Sequence, residues 1–276
     1  MTTGATQERY QQELASGERF AFGANWEKFL GIIDERRIED AQDSLRQMLE
    51  VQELSGKTFL DVGSGSGLFS LAARRLGAKV VSFDYDPQSV ACTSELKRRY
   101  FKDDANWSVA SGSVLDPAHL QGLGRFDIVY SWGVLHHTGN MWAALSNIDL
   151  NVDKGGKLFI SIYNYQPFAT KYWTFVKKLY NKAPLVRPLL ILAHAVYPTL
   201  PSVVLRFVQR RRYPRGMSVW RDLHDWLGGY PFEVATPAQI FEHYKAKGYM
   251  LTKLKTVGGK LGCNEFVFQR SGVYTG

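Results

Sequence analysis

The chain has 276 residues, 45% of them hydrophobic, enough to bury a sizeable core in one enlarged domain or one domain with a lid. Its two cysteines, Cys92 and Cys263, show neither a CxxC nor a Cys/His spacing, which argues against zinc and a disulfide scaffold and for a reduced, cytoplasmic setting. The polar start, MTTGATQERYQQE, lacks the apolar core of a secretory signal. Net charge is +8, yet residues 165–225 hold 11 Lys and Arg against 2 Asp and the remainder nets −1, so the basic excess belongs to one segment.

Tyr10, Phe20, Phe22 and Trp26 form an aromatic arm around Gly23, ahead of a helix predicted from about Ile38 to Leu54 on the apolar positions Ala41, Leu45, Met48 and Leu49. The charged run Asp34–Asp40 reads as a solvated helix face. A short apolar strand follows, Phe59 and Leu60 leading to Asp61 and Val62, and then Gly63, Gly65 and Gly67 alternate with serines. Glycines so placed let the backbone turn sharply and a ligand approach without a Cβ in the way. Leu68, Leu71, Ala72 and Leu76 recur at helical spacing, Gly77 stops that helix, and a second strand, Lys79–Phe83, ends at Asp84.

Strand, glycine loop, helix, strand and acid make half of a doubly wound nucleotide fold, with the last acid on a ribose. Leu68 stands where a dinucleotide fingerprint needs its third glycine. Asp61 decides the ligand: a carboxylate at that point repels a diphosphate and draws an ammonium or a sulfonium. S-adenosylmethionine carries both, with a ribose for Asp84. The alternative is a tight turn with Asp61 as a helix cap. The stretch resembles motif I and the acidic loop of the class I S-adenosylmethionine-dependent methyltransferases. That resemblance implies a seven-stranded Rossmann-like α/β sheet, with Asp61, Gly63, Ser64, Gly65 and Gly67 at the methionine end and Asp84 and Tyr85 at the ribose. It also implies an arm over the pocket, with Phe22 and Trp26 as substrate contacts.

Asp86 followed by Pro87 reads as an N-cap and first helical residue, opening a helix to about Tyr100. The third strand, Asn106–Ala110, leads to Ser113 and Val114, which the resemblance sets beside the adenine, Ser113 standing at the usual acidic place and Asp116 three residues on. The fourth, FDIVY at Phe126–Tyr130, runs into Ser131, Trp132, Gly133, Val134, Leu135, His136 and His137. This is similar to motif IV of small-molecule methyltransferases of the ubiquinone-biosynthesis type, which implies cofactor contacts by Ser131 and Trp132. One of the two histidines can serve as a base near neutral pH, His136 being preferred, with His137 and Tyr163 facing the acceptor. Base amino-methylation is disfavoured, because neither the amide nor the paired prolines that hold an exocyclic amine are present. A helix over Met141–Asn151, a turn at Asp153–Gly156 and a fifth strand, Lys157–Tyr163, follow.

About seventy residues then intervene before a capping box at Thr236–Gln239, a helix closed by Gly248, and a hairpin of Met250–Val257 with Cys263–Gln269. In the insertion, Pro188–Leu205 is uncharged but broken by Pro188, Pro198 and Pro201, which predicts two short helices in place of a membrane span. With Arg206 and Arg210–Arg212 beside it, 185–215 suits a lid over an apolar pocket, a peripheral membrane contact, or a packed cap. RGMSVWRDLHDWLGGYPFE then offers His224 with Asp225 as a catalytic pair, Trp226 and Tyr230 as acceptor contacts, and Glu233 as a further candidate. The expected division is an arm (1–34), a cofactor-binding core (35–164), a helical lid after strand 5 (165–235), and a last helix and hairpin completing the core (236–276). The expected activity is methyl transfer from S-adenosylmethionine to an O, S or C nucleophile of a small apolar or anionic molecule, without a metal. The alternatives are an RNA methyltransferase using the basic insertion and a non-catalytic cofactor-binding module.

Overall fold

Runs of apolar residues alternate with helical periodicities along the chain, and every run of strand length joins one sheet. The computed structural model describes residues 3–23, 26, 30–194 and 226–272. In chain order these form α1 (Thr3–Ala15), α2 (Glu35–Leu49), β1 (Thr58–Val62), α3 (Leu68–Arg75), β2 (Lys79–Asp84), α4 (Pro87–Tyr100), β3 (Trp107–Ser111), α5 (Pro117–Leu123) and β4 (Phe126–Trp132). A 3-10 turn (Leu135–His137), α6 (Met141–Asn147), β5 (Val152–Tyr163), α7 (Pro167–Lys182), a 3-10 turn (Pro184–Val186), α8 (Arg187–His194), α9 (Pro237–Lys245), β6 (Tyr249–Lys255) and β7 (Cys263–Arg270) complete them.

The sheet order is β3-β2-β1-β4-β5-β7-β6, parallel except for β7, which runs antiparallel to both its neighbours. Strand order reverses between β1 and β4, so the crevice at their carboxyl ends is where such a sheet binds ligand. Both faces are covered, and side chains alternate between them. Leu60, Val62, Val129, Leu158 and Ile160 pack with Leu145 of α6 and Ile240 and Tyr244 of α9. Phe59, Ile128 and Phe159 face Ile38 and Leu45 of α2, Leu71 of α3 and Leu96 of α4. A third, smaller cluster joins Trp173, Val176 and Tyr180 of α7 to Leu227 and Phe232.

Several boundaries differ from expectation, among them the end of the first core helix at Leu49, the third strand at Trp107–Ser111 and the fourth at Phe126–Trp132. The helix expected from Ile38 begins at Glu35, because the Asp34 carboxylate caps it by accepting from the Arg37 amide at 2.9 Å. The turn expected at Asp153–Gly156 lies inside β5, where pairing with β4 skips from Phe126↔Val152 to Ile128↔Lys157 and the extra residues bulge. The helix expected through Asn151 stays α-helical only to Asn147 and finishes as a 3-10 turn. The capping box of α9 forms as expected, with Thr236 and Gln239 each bonding the other's backbone. A helical insertion does follow β5, and α8 covers the first part of its uncharged run.

Candidate functional site

Asp61 lies next to last in β1, Asp84 ends β2 and Trp132 ends β4, so the strand ends converge on one cavity of about 1070 Å³. That is above the usual size of a single-ligand site, roughly 300–1,000 Å³, and has room for two partners side by side. The loop after β1 is held down by its own backbone: Gly63 and Ser64 both donate to the Phe83 carbonyl, at 2.9 and 3.1 Å. Gly63 (φ 79°) must lack a side chain, since a Cβ there would lie 2.4 Å from Val134. Gly67 is needed for packing: its Cβ would meet Thr93 of α4.

The two acids set the electrostatics. Asp61 is buried and accepts from Ser70 Oγ at 2.5 Å, and Ser70 continues through Ser82 Oγ (2.7 Å) to Trp107 Nε1 (2.9 Å). Asp84 accepts from the Gly65 amide at 2.8 Å through Oδ2 and from the Asp86 amide at 2.9 Å through Oδ1. Burial pushes the Asp61 carboxyl up to about 7, against its serine hydrogen bond, and the Asp84 carboxyl up to about 6. Among the described residues no basic side chain forms an ion pair with either. Each Asp84 oxygen keeps lone-pair capacity for one more donor, which matches the two hydroxyls of a ribose. A ligand with positive charge near Asp61 and a vicinal diol near Asp84 fits this end of the cavity.

Gly112, Ser113, Val114 and Leu115, after β3, continue the wall. Ser113 Oγ accepts from the Leu115 amide at 3.2 Å, while Asp116 caps α5 by accepting from the Ala118 and His119 amides. The far end is aromatic. Phe22, Trp132, His137, Tyr163, Trp173 and Trp226 line it, with Phe22 5.0 Å from the His137 ring and Trp226 5.1 Å from Trp173.

The adjacent histidines divide. His137 faces the cavity, and its Nδ1 lies 2.6 Å from the Pro231 carbonyl, so Nδ1 carries the proton and Nε2 the lone pair. Burial, with Lys177 and Arg19 nearby, lowers its pKa to about 3, against that hydrogen bond, and the ring is neutral. His136, preferred from sequence, is off the wall: it is fully buried against Tyr163 (4.1 Å between ring centres), with the Ser161 backbone beside its ring. The two rings stay in edge contact, 4.5 Å between centres, yet only that of His137 reaches the wall. Ser131 also turns inward, donating to the Val62 carbonyl at 2.9 Å, and Tyr230 gives its carbonyl to the Phe20 amide without lining the cavity. Glu233 is structural, accepting from the Met141 amide at the start of α6. His224 and Asp225 lie outside the described residues.

Sequence reasoning missed what holds the arm. Asp86 caps α4 through the Gln88 amide (2.9 Å), as expected, but also accepts from the Gly23 amide at 2.7 Å and faces the Tyr10 phenol, whose pKa burial and the Asp86 carboxylate together raise. Arg19 sits 4.7 Å over the Tyr85 ring, pairs with Glu13 at 2.6 Å and donates to the His137 carbonyl at 3.2 Å. The Trp26 indole lies against Gly65, where a Cβ would come within 3.1 Å of Nε1. Tyr10, Arg19, Phe20, Phe22 and Trp26 thus line the cavity, through contacts between residues far apart in the chain for which local spacing carries no signal.

A family model described as a methyltransferase domain matches residues 33–188, more than half of the chain. The chain belongs to this methyltransferase family. Its sheet is that of the class I S-adenosylmethionine-dependent enzymes, and the expected cofactor stands with it. The chain is 34% identical over 117 residues to the ubiquinone biosynthesis O-methyltransferase of Xanthomonas euvesicatoria pv. vesicatoria (strain 85-10), covering 42% of this chain and 47% of the relative. It is 33% identical over 116 residues to the tRNA U34 carboxymethyltransferase of Haemophilus influenzae (strain PittEE), covering 42% and 35%. The match thus spans less than half the length of these relatives. An O-methyltransferase family protein from Burkholderia thailandensis superposes with TM-score 0.56 at 14% identity over 97% of this chain and 68% of that one. Magnesium protoporphyrin IX methyltransferase from Synechocystis PCC 6803, solved with bound SAH, superposes with TM-score 0.51 at 15% identity over 85% and 83%. At these identities the likeness is one of fold.

Proposed function

We propose that this methyltransferase acts on an O, S or C nucleophile of a small, apolar or anionic molecule held at the aromatic end of the cavity. The observation that carries this reading is one continuous cavity with two uncompensated carboxylates, Asp61 and Asp84, at one end and rings with a neutral imidazole at the other. When bound, S-adenosylmethionine supplies a methyl group on a positively charged sulfur, open to in-line displacement. Asp84 accepts the ribose hydroxyls, Asp61 faces the cationic methionine end, and Gly63 and Gly65 leave the backbone uncovered for it. Ser113 and Val114 flank the adenine.

The base in this reading is His137 and not His136. Its Nε2 accepts the hydrogen of an acceptor hydroxyl, and as the new bond to carbon forms, the acidity of that hydroxyl rises until the proton transfers. A thiolate acceptor needs no such step. Holding the two partners in line accounts for most of the acceleration, on the order of 7–11 kcal/mol at best. Residues 1–34 act as the arm, 35–164 with 236–276 as the core, and 165–235 as the lid. The relative that acts on tRNA and the basic insertion favour RNA as the second reading; the aromatic lining beneath a closed arm favours a small molecule.

The test is release of demethylated cofactor from a panel of thiol, phenol and prenyl acceptors alongside tRNA transcripts. Turnover with a small acceptor is the expected result. Turnover confined to RNA, or tight cofactor binding with no turnover at all, overturns it.

A further inference from the structure

Helices α7 and α8 expose side chains that most surface helices bury. On α7 the inward side is Trp173, Val176, Lys177 and Tyr180. The outward side carries Phe168, Tyr172 and Phe175, spaced by four and three, with Phe168 91% exposed. Beyond the break at Ala183 the same spacing returns in Leu185, Leu189 and Leu192, with Leu185 96% exposed. Lys171, Lys178 and Lys182 stand exposed among the rings of α7. Residues 165–194 hold five Lys and Arg and no Asp or Glu.

The two faces belong to one built unit. Tyr172 Oη and His194 Nε2 are 2.8 Å apart, joining the end of α8 to α7, and the His194 ring packs 5.3 Å from Trp173. Arg187 Nε donates to the Tyr180 carbonyl at 2.8 Å and its guanidinium covers the Tyr180 ring.

We propose that the outward face of α7 and α8 docks on an anionic lipid bilayer. Apolar side chains aligned on one face with long cationic side chains at their margin are the composition that enters the headgroup boundary, rings and leucines down and ammonium groups at the phosphates. A second copy of the chain meeting this face would set lysine against lysine. Nucleic acid would use the lysines and rings but leave Leu185, Leu189 and Leu192 without a stacking partner. Lipid uses all of them. The surface stands independently of the acceptor assigned above, although Trp173 on the inner side of α7 puts the docked helix at the wall of the cavity.

Co-sedimentation of the full chain with vesicles of phosphatidylcholine alone, and of phosphatidylcholine with phosphatidylglycerol, tests it. The wild type should partition onto the anionic vesicles. The variant F168S/F175S/L189S should lower that partition on the order of a hundredfold. K171E/K178E/K182E should lower it by at least about fivefold per lysine and remove the preference for phosphatidylglycerol. Melting temperature and S-adenosylmethionine affinity should match wild type in both variants, since every altered side chain is exposed; this readout separates failure of docking from failure of the methyl-transfer reading. Absence of wild-type binding to either vesicle overturns the proposal, as does binding that the serine variant leaves unchanged. It is equally overturned if the variants instead abolish dimer formation or retention of tRNA while the wild type ignores vesicles.

Discussion

Lowering the pH from about 8 to about 5 should weaken cofactor binding steeply, because both acids of the pocket titrate in that interval. Burial raises Asp61 to about 7 and Asp84 to about 6, so each carboxyl is charged above its value and neutral below it. A sulfonium ligand favours the charged forms, and affinity should therefore be full at high pH and fall as pH drops through 7 and then 6. One pH unit below a pKa leaves about a tenth of the group ionised, a loss of roughly 1.4 kcal/mol in binding. At about pH 5 the two losses together approach a thousandfold as an upper bound, since the Asp84 charge raises Asp61 and the two do not titrate independently. Calorimetry in two buffers of different ionisation enthalpy reads the same effect as protons released on binding near pH 6–7. An affinity flat across this range, with the protein folded throughout, would refute the assignment of the two carboxylates.

His137→Asn should lower turnover of a hydroxyl acceptor by about 10²–10⁴ while cofactor affinity stays within about twofold, and should spare a thiol acceptor. His136→Leu should keep turnover, because its ring does not line the cavity; a large loss of activity in steady-state assays would return the base to that residue. Tyr10→Phe removes the phenol that faces the Asp86 carboxylate and should loosen the arm, without touching Asp61 or Asp84. Faster hydrogen exchange at the Gly23 amide is the expected readout, and an unchanged rate would detach Tyr10 from the clasp.

Much of the core is legible because parallel strands covered on both faces read as short apolar runs, and because glycines at positive φ announce the loop after β1. Asp84 is legible for the same reason: it closes a strand of the expected length at the expected distance. The histidines are not, since a 3-10 turn, and not a helix, follows β4 and decides which ring meets the cavity. Ser131 misleads because β4 runs two residues past the apolar run and turns that hydroxyl toward β1. The second role of Asp86 is invisible from its neighbours: its N-cap signature is complete, and its partners Tyr10 and Gly23 come from a distant arm. Glu233 looks like a reactive acid in an aromatic loop until the start of α6 is seen beneath it.

Titration of wild type and Asp61→Asn at about pH 8 with S-adenosylmethionine, its uncharged-sulfur product and a nicotinamide dinucleotide bears most directly on the pocket's affinity for positive charge. Wild type should bind the sulfonium compound and not the dinucleotide, and the substitution should cost the sulfonium compound at least about tenfold in affinity and the neutral-sulfur product less. Tight dinucleotide binding, or an Asp61→Asn variant that holds S-adenosylmethionine as well as wild type, would contradict the account.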